Sequence, residues 1–550
     1  MLLRTFVTGL MLSAGAFAQM ASFPKPSYFR EVFKQTNTKV ELRDPVRLKE
    51  FVVGGKLELS LKNFIELVMA NNTQIQLQFL TLEVPKNNIT SVFGRWDPTA
   101  TASFSSTRQT SVPTNPALSG AATLGSVSKS LSQPLAMGYS QTLDSGLNYQ
   151  VSFTESKNSY SNSRSSYNPS IASGLTFQVT QPLLQNRGRY VNRIPVMQAE
   201  SLYKQAGFTM LSTILNLVNT AETSYWNLVS ARESLRVAVE ERDASKTNFE
   251  FVQKQLALGA IAELDIYNPE GQLAAAEVSV SQGEFALARA EDALRVQIGA
   301  DLDPEIRKLP ITLTEPVEEL TPPVPQDPEL EVQKALNMNP NVKLALEKLG
   351  YDELGIQSAK NGLQPNLALS ARYSTAGQGG VYIPSQSTLL GAGSAESIPG
   401  GLSDALSQMF GFSYPTYMGS LTLTLPIKNR TAAMTMASAL VTKKSDALNL
   451  RNAQEQARLN VVTAVTNVKG AIEQLKLAKI QLDIQRKNVD AQNLEYQLGT
   501  NTNQDVVLAL QAFATADAQL VSSQVGVRTA ILNLYTQTGE LLDELGIVIK

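Results

Sequence analysis

The chain has 550 residues, with 47 basic and 49 acidic side chains, so its charge is nearly balanced and gives no support for nucleic-acid binding. It contains no cysteine and no histidine, which excludes disulfides, thiolate metal sites and the commonest general base. We therefore expect a protein that is not an enzyme and that has no cofactor, no metal site and no nucleic-acid partner.

The N-terminus has the pattern of an export signal. Arg4 is followed by a short apolar stretch and by the cleavage pattern Ala16-Phe17-Ala18, which predicts a signal peptide at residues 1–18. Residues 19–59 are expected to form an extended segment. No later stretch reaches the roughly 18 apolar residues of a membrane-spanning helix, so a membrane location would require a closed β-barrel.

The rest of the chain reads as two repeats, residues 60–299 and 327–539, joined by a proline-rich linker at 300–326 and followed by a tail at 540–550. Leu258-Gly259 matches Leu498-Gly499 at an offset of 240, as Gln297 matches Gln537. Asn72 matches Asn339 at an offset of 267 because the middle of the second repeat is 27 residues shorter. Each repeat should therefore fold in the same way.

The first repeat opens with a helical pattern at 58–93, followed by alternating apolar and polar residues near 100–104 and 175–179. This alternation is typical of barrel strands between lipid and water. The segment 109–171 between the two strands is interpreted as an extracellular insertion. Within it, 136–157 predicts a hairpin, which we assign to an enlarged loop in preference to two extra barrel strands.

Strands of the same alternating kind follow in the second repeat at 367–373 and 421–425. The Gly- and Ser-rich segment 376–416 between them predicts a loop, with a short helix near 402–410. Two strand pairs from one chain are too few to close a membrane barrel, which needs about eight strands. Several chains should therefore share one barrel in a ring.

Very long helical patterns come next, at 192–257 and 434–497, and each is followed by a return helix with apolar residues every seven positions. Such spacing predicts coiled-coil hairpins. Their tips are 258–265 and 498–505, where Gly259 and Gly499 can take the left-handed turn. Asp265 and Asp505 are placed to stabilise the start of the return helices. Asn268-Pro269 favours a longer first tip that is capped by Asn268.

The doubled order of helix, strand pair, long helix, Leu-Gly tip and return helix resembles the TolC family of outer-membrane efflux proteins over about residues 57–540. The strand ends Thr180-Gln181-Pro182 and Thr424-Leu425-Pro426 are similar to that family too. The resemblance implies a mixed α and β fold: a transmembrane antiparallel barrel with four strands per chain, continued by a coiled-coil tunnel in a homotrimer. It further implies an outer-membrane location extending into the periplasm, contact with outer-membrane lipid, a periplasmic membrane-fusion adaptor and an inner-membrane transporter.

The family also suggests a gate at the periplasmic tips. By motif position, Asp505 matches an aspartate of a cation-attracting entrance ring, and Tyr496 matches a tyrosine linked to an aspartate matched by Asp265. Asn501 stands where well-known members carry an arginine link, and Leu508 where they carry a second aspartate. Asp265 and Asp505 can equally be helix-start residues, and Tyr496 a packing residue. Gly259 and Gly499 belong to tips that an adaptor would contact.

Three functions follow in order of preference. The first is an export duct for small molecules such as drugs, metals or other toxic solutes. The second is the outlet of a type I protein secretion system, which the sequence does not distinguish from the first. The third is a periplasmic coiled-coil adaptor without a pore, which the strand pairs argue against. The cargo, the pump and adaptor, and the resting state of the gate are left open.

Overall fold

A computed structural model of the chain describes residues 48–111, 127–161, 167–259, 261–300, 304–314, 327–382 and 398–547. The predicted signal peptide, residues 19–47 and much of the proline-rich linker lie outside these ranges. All of the described residues belong to one compact unit, residues 45–550.

The elements follow the chain in two series. The first comprises β1 (Val52–Val53), β2 (Lys56–Leu59), α1 (Leu61–Asn71), α2 (Thr73–Phe93), β3 (Thr99–Phe104), β4 (Thr107–Ser111), β5 (Ser128–Thr142), β6 (Asn148–Tyr160), β7 (Tyr167–Pro182), α3 (Arg189–Ala257) and α4 (Tyr267–Gln297). The second comprises β8 (Ile311–Leu313), α5 (Pro328–Met338), α6 (Pro340–Gly362), β9 (Asn366–Tyr382), α7 (Leu402–Phe410), β10 (Pro415–Thr424), α8 (Arg430–Gln497), α9 (Asn503–Thr538) and α10 (Leu541–Glu544).

The large sheet is antiparallel throughout, in the order β10-β9-β7-β6-β5-β3, and β4 continues along β5 beyond β3. Because side chains alternate between the two faces of a strand, the strand pairing defines an apolar face and a polar face. One row across all the strands on the apolar face is Ala100, Tyr139, Val151, Phe177, Tyr373 and Tyr417. The next row, on the polar face, is Thr101, Gly138, Ser152, Thr176, Ser374 and Thr416.

Two loop assignments differ from the structure. The segment 109–171 contains β5 and β6, which pair with β3 and β7 inside the sheet, so the hairpin at 136–157 is not a separate loop hairpin. Six strand columns per chain therefore replace the expected four. The loop at 376–416 is shorter than expected because β9 continues to Tyr382, while the short helix occurs as expected, at Leu402–Phe410.

Helix α7 packs on the apolar face of the large sheet, at the end furthest from the long helices. The Ser173 hydroxyl donates to the carbonyl oxygen of Ala405 over 2.9 Å, and the Thr375 hydroxyl donates to that of Met409 over 3.2 Å. A Cβ atom at Gly377 would lie 1.8 Å from the Ala405 carbonyl oxygen, so only glycine lets the helix approach this closely.

The long helices form two hairpins, α3–α4 and α8–α9, and α9 also packs along α3. With 69 residues in α3 and 68 in α8, each helix is about 100 Å long. One helix in the described part, α9, is apolar and long enough by composition to cross a membrane, contrary to the expectation that no such segment exists. Many of its residues are buried, among them Val521, Val527 and Leu534.

The helix expected at 58–93 breaks at Asn72, and the equivalent break in the second half is at Asn339. The Asn72 amide oxygen accepts from the backbone N–H of Gln74 over 2.9 Å, and its amide nitrogen donates to the Gln297 carbonyl oxygen over 3.1 Å. Asn339 makes the same two kinds of bond, with Asn341 and with the Gln537 carbonyl, both over 2.9 Å. One buried asparagine thus caps a helix and fixes the end of a return helix in each half.

A second, smaller sheet lies beside the first of these breaks. Strands β1 and β2 pair antiparallel, and β2 pairs parallel with β8 from the linker region. Leu57 and Leu59 of β2 enter the largest buried cluster, which also contains Phe64, Tyr225 and Trp226. This cluster joins the N-terminal segment to the middle of α3, well away from the hairpin tips.

Candidate functional site

The predicted gate lies at the tips of the two hairpins, and both tips turn on a left-handed glycine. Gly259 and Gly499 each have φ of 72°. Their N–H groups donate to the carbonyl oxygens of Leu256 and Tyr496, over 2.9 and 3.0 Å. A Cβ atom at either glycine would meet nothing within 4 Å, so the requirement for glycine is conformational and the surrounding surface is open.

Asp265 and Asp505 both lie in the first helical turn after the tip. The Asp505 carboxylate accepts from the backbone N–H of Thr502 over 3.2 Å and from the Thr502 hydroxyl. The Asp265 carboxylate accepts from the backbone N–H of Ala262 over 3.2 Å. Each acid therefore satisfies a donor that the helix leaves free.

The first tip differs from the expectation at Asn268. A short 3₁₀ turn over Glu263–Ile266 precedes α4, which begins at Tyr267, so Asn268 is not the cap. Pro269 is accommodated in the first turn of α4, where its missing N–H costs no helical hydrogen bond. Asp265, three residues after Ala262, accepts from the Ala262 backbone N–H and stabilises this helix start instead.

Tyr496 joins the two hairpins, but not through Asp265. Its hydroxyl donates to the Gln255 side-chain oxygen over 2.9 Å, and its ring packs edge-on against Phe251 with centroids 6.0 Å apart. Both partners belong to α3, so this contact joins the C-terminal end of α8 to the C-terminal end of α3, next to the tips. Asp265 lies across the turn and bonds within its own tip.

Asn501 acts inside the second tip. Its amide nitrogen donates to the side chains of Gln492 and, over 3.5 Å, Glu495. Its amide oxygen accepts from the backbone N–H of Thr502 over 2.8 Å. The Asn501 side chain therefore fastens the tip loop back to α8 in the same chain.

Further from the tips, an ion pair between half-exposed Arg236 and buried Asp517 connects α3 with α9. Arg236 contacts Glu233 at 2.8 Å, Glu240 at 2.7 Å and Asp517 at 3.4 Å. Burial raises the pKa of Asp517, which Arg236 partly offsets, and burial also raises the pKa of Glu241. Sequence reasoning missed this site, although an acid occurs at the matching position of the first repeat, Glu277.

Glu240, Glu241 and Asp517 border a cavity of about 240 Å³ between α3, α8 and α9. The cavity is also lined by Arg486 and Asp490, so charges of both signs face it. In the described part of the chain, no three His, Cys, Asp or Glu side chains are arranged to hold a metal ion. The arrangement can hold helices together electrostatically.

The tips also expose large apolar side chains. Leu258, which precedes the first tip glycine, is 83% exposed, and its counterpart Leu498 is 70% exposed. Leu264 in the first tip is 77% exposed. Apolar side chains gathered at the end of a hairpin are typical of a surface that meets another protein.

The sequence profile of the family described as outer membrane efflux protein matches residues 100–300 and 332–540. Among solved structures, the chain is similar to the Campylobacter jejuni CmeC outer membrane channel, at 16% identity over 91% of this chain and 89% of that one, with a TM-score of 0.60. No curated protein sequence matches the chain significantly.

Two further structures are similar. The Neisseria gonorrhoeae MtrE outer membrane channel in its open state matches at 16% identity over 88% of this chain and 89% of that one, with a TM-score of 0.59. The Vibrio cholerae outer membrane protein VceC matches at 13% identity over 87% and 96%, with a TM-score of 0.58. At these identities the likeness establishes the fold. Because the two profile matches span most of the sequence, the chain belongs to the outer membrane efflux protein family, and it lies in the outer membrane and extends into the periplasm.

Proposed function

We propose that the chain forms a homotrimeric duct that passes small molecules, such as drugs, metals or other toxic solutes, from a periplasmic pump and adaptor to the exterior. The observation that carries the proposal is the junction of one amphipathic sheet with two helical hairpins whose longer helices, α3 and α8, are each about 100 Å long. The apolar face of the sheet can contact lipid, and the long helices can extend into the aqueous compartment beside the membrane.

The sheet supports assembly because it is open at both edges in a single chain. β3 and β4 occupy one edge and β10 the other. An unpaired strand edge is not tolerated in lipid, since its backbone N–H and carbonyl groups would have no partner there. Pairing of the edges of neighbouring copies around a ring satisfies these groups and encloses a lumen.

The tips support a gate. In the closed state, the Tyr496–Gln255 bond holds α8 against α3, and Asn501 holds the second tip against α8. Opening requires the two hairpins to move apart, so the Tyr496–Gln255 bond opposes it, whereas the Asn501 bonds keep the second tip in shape. In a trimer, Asp505 of each chain would face the axis, where three carboxylates together attract cations.

The partners follow from the tip surface and from the energy source. Leu258, Leu264 and Leu498 offer apolar contacts that a periplasmic adaptor of matching shape would cover. The energy for transport would come from an inner-membrane transporter, to which the adaptor links the duct. The tube itself then needs only to open and close.

Planar-bilayer recording of the purified protein tests the proposal. We expect discrete conductance steps, together with a trimer band in unheated gel samples that becomes a monomer after boiling. A variant with Gly259 and Gly499 both changed to proline is a control that should disturb the tips without loss of the trimer band. A monomeric protein that gives no conductance steps at any voltage would refute the duct.

Cargo is tested in cells that lack the gene. We expect increased sensitivity to several small toxic compounds, restored by the wild-type gene but not by a variant that fails to form the trimer. Unchanged sensitivity to all the compounds, with loss of a secreted protein from the medium, would contradict the small-molecule assignment while leaving the duct intact.

A further inference from the structure

The β5–β6 hairpin has no role in a barrel built from four strands per chain. In the sheet it lies between β3 and β7, which are the two strands expected from the first repeat. Thirteen residue pairs join β5 to β6, from Ser130 opposite Tyr160 to Thr142 opposite Asn148. β6 then pairs with β7 from Asn148 to Asn158 without a break in register.

Both strands are long enough to cross a membrane. β5 has 15 residues and β6 has 13, whereas a tilted membrane strand needs about 9–11. On one side β6 pairs with β7, which has 16 residues, and on the other side β5 pairs with β3 and β4, which together pair along β5 from Ser128 to Ser140. The hairpin therefore matches the height of the strands beside it.

The turn of this hairpin lies at the end of the sheet where the long helices begin. The Asp144 carboxylate contacts Arg193 at 2.8 Å and Arg189 at 3.3 Å, both in the first turns of α3. The Gly188 N–H donates to the Ser145 carbonyl oxygen over 3.2 Å. A Cβ atom at Gly146 would lie 2.6 Å from the Asn186 carbonyl oxygen, so the turn is closely packed against the strand-to-helix junction.

The hairpin also shares the two faces of the sheet. Met137, Tyr139, Val151 and Phe153 lie in the same rows as Phe177 and Leu175 on the apolar face. Gly138, Ser152 and Thr154 lie in the same rows as Thr176 and Gly174 on the polar face. A hairpin in an aqueous loop has no need to place its apolar residues in register with a lipid-facing row.

We propose that the β5–β6 hairpin crosses the outer membrane, so that each chain supplies six strands and three chains supply 6 × 3 = 18 to one barrel. The occupant of each open edge is a second copy of this chain. An even number of antiparallel strands leaves β3 and β10 running in opposite directions, so β3 of one copy can pair antiparallel with β10 of the next. This inference rests on the proposed function, because it requires a membrane barrel.

Single-cysteine labelling tests it, and the natural absence of cysteine leaves no background. The test pair is Ser152→Cys and Val151→Cys in β6, on the polar and apolar faces. The control pair is Thr176→Cys and Phe177→Cys in β7, from the same two rows. Each variant is assembled in lipid vesicles and treated with a water-soluble thiol reagent. We expect the polar-face cysteine of each pair to react about tenfold faster or more, since lipid excludes the reagent.

The β6 and β7 cysteine pairs together distinguish failure of the six-strand barrel from failure of the membrane duct. If the β7 pair shows this difference while both β6 cysteines react equally fast, the hairpin is a water-exposed loop and the six-strand barrel is wrong, although the duct stands. If neither pair shows a difference, the membrane barrel and therefore the proposed function are wrong. A β6 variant that does not form the heat-sensitive trimer is replaced by Thr154→Cys or Phe153→Cys, which lie two residues further along the strand on the same two faces.

Discussion

At the residue scale, Asp505 has an observed bond at the helix start and a proposed role in cation binding, and one substitution can separate the two. Its carboxylate accepts from the Thr502 N–H, and in a trimer it would attract cations near the axis. Asp505→Asn keeps a hydrogen-bond acceptor for Thr502 but removes the charge. We expect the concentration of a divalent cation that blocks the channel from the tip side to rise about tenfold, which corresponds to about 1.4 kcal/mol.

Asp265→Asn is the matched control, because Asp265 makes the same kind of bond in the first tip. A ring formed by Asp505 alone predicts that this second variant keeps the wild-type block. Equal weakening by both variants would show that both acids face the lumen, and unchanged block in Asp505→Asn would show that this aspartate only stabilises the helix start.

Tyr496 makes a separate prediction about gating. Tyr496→Phe removes the hydrogen bond to Gln255 but keeps the ring that packs on Phe251. A hydrogen bond of this kind contributes about 0.5–1.5 kcal/mol, so we expect the ratio of open to closed time to increase roughly two- to tenfold. Gln255→Leu should have the same effect in single-channel recordings, and the double variant should add nothing. An open ratio that changes in only one of the single variants would contradict this link.

A third residue makes stability depend on pH. Asp352 of α6 is buried, and burial together with Asp446 of α8 raises its pKa to about 6. Because the folded pKa is above the ordinary value, the charged form is disfavoured in the fold. Stability is therefore lost as pH rises through about 6 and is gained as pH falls below it. We expect Asp352→Asn to stabilise the protein at pH 8 by about 1–2 kcal/mol and to have little effect near pH 4.

Thermal unfolding of the detergent-solubilised protein at several pH values measures this difference. Glu353→Gln is the control, because Glu353 is a partly exposed neighbour whose pKa is lowered by its hydrogen bond and ion pair with Lys443. This control should give no gain at pH 8. The pairing of Asp352 with Asp446 is wrong if Asp352→Asn lowers the unfolding midpoint at pH 8.

At the scale of elements, Asn72 and Asn339 each lie at a break between two short helices and bond to the end of a return helix. Asn339→Ala removes both the cap of α6 and the donor to the buried end of α9. We expect it to lower the free energy of unfolding by about 1–3 kcal/mol, from the cap and the hydrogen bond together. Asn339→Ser keeps an acceptor for the cap but is too short to reach Gln537, so its cost should be smaller.

The same two substitutions at Asn72 should rank in the same order, because Asn72 makes equivalent bonds with Gln74 and Gln297. Denaturant unfolding of the four variants measures the ranking. If serine costs as much as alanine at both positions, the bond to the return helix, rather than the cap, carries the stability.

The elements that the sequence predicted well are those set by local pattern. The helical pattern of apolar residues predicted helices at 192–257 and 434–497, and the structure has Arg189–Ala257 and Arg430–Gln497. The role of 136–157 could not be predicted, because a hairpin has the same turn signal and alternation whether or not its outer edges pair with other strands. Its pairing with β3 and β7 depends on non-local contacts.

The candidate site was predictable to a similar extent. The tip glycines and first-turn acids follow from short-range backbone geometry, so their places could be assigned from the motif. The partner of Tyr496 depends on how far α8 slides along α3, and motif position alone suggested Asp265 where packing selects Gln255. The Arg236–Asp517 pair was missed for the same reason, since its members are 281 residues apart.

At the scale of the whole molecule, the number of strands must agree with the number of helices that continue the tube. In the proposed trimer, three chains place 4 × 3 = 12 hairpin helices in the ring. At a helix spacing of about 8–10 Å, such a ring is roughly 30–38 Å across between helix axes. A barrel must have a similar width at the junction, because each strand column ends within a few residues of a helix or a tightly packed turn.

The six-strand arrangement meets this requirement. With strands about 4.8 Å apart and tilted by about 40°, a barrel of 18 strands is roughly 36 Å across, whereas one of 12 strands is roughly 24 Å across. We therefore expect electron cryomicroscopy of the trimer in lipid nanodiscs to resolve 6 × 3 = 18 strands in cross-section, with a barrel about as wide as the helical tube. A narrower wall of 4 × 3 = 12 strands, with β5 and β6 outside it, would contradict the pairing of these strands with β3 and β7 in the assembled protein.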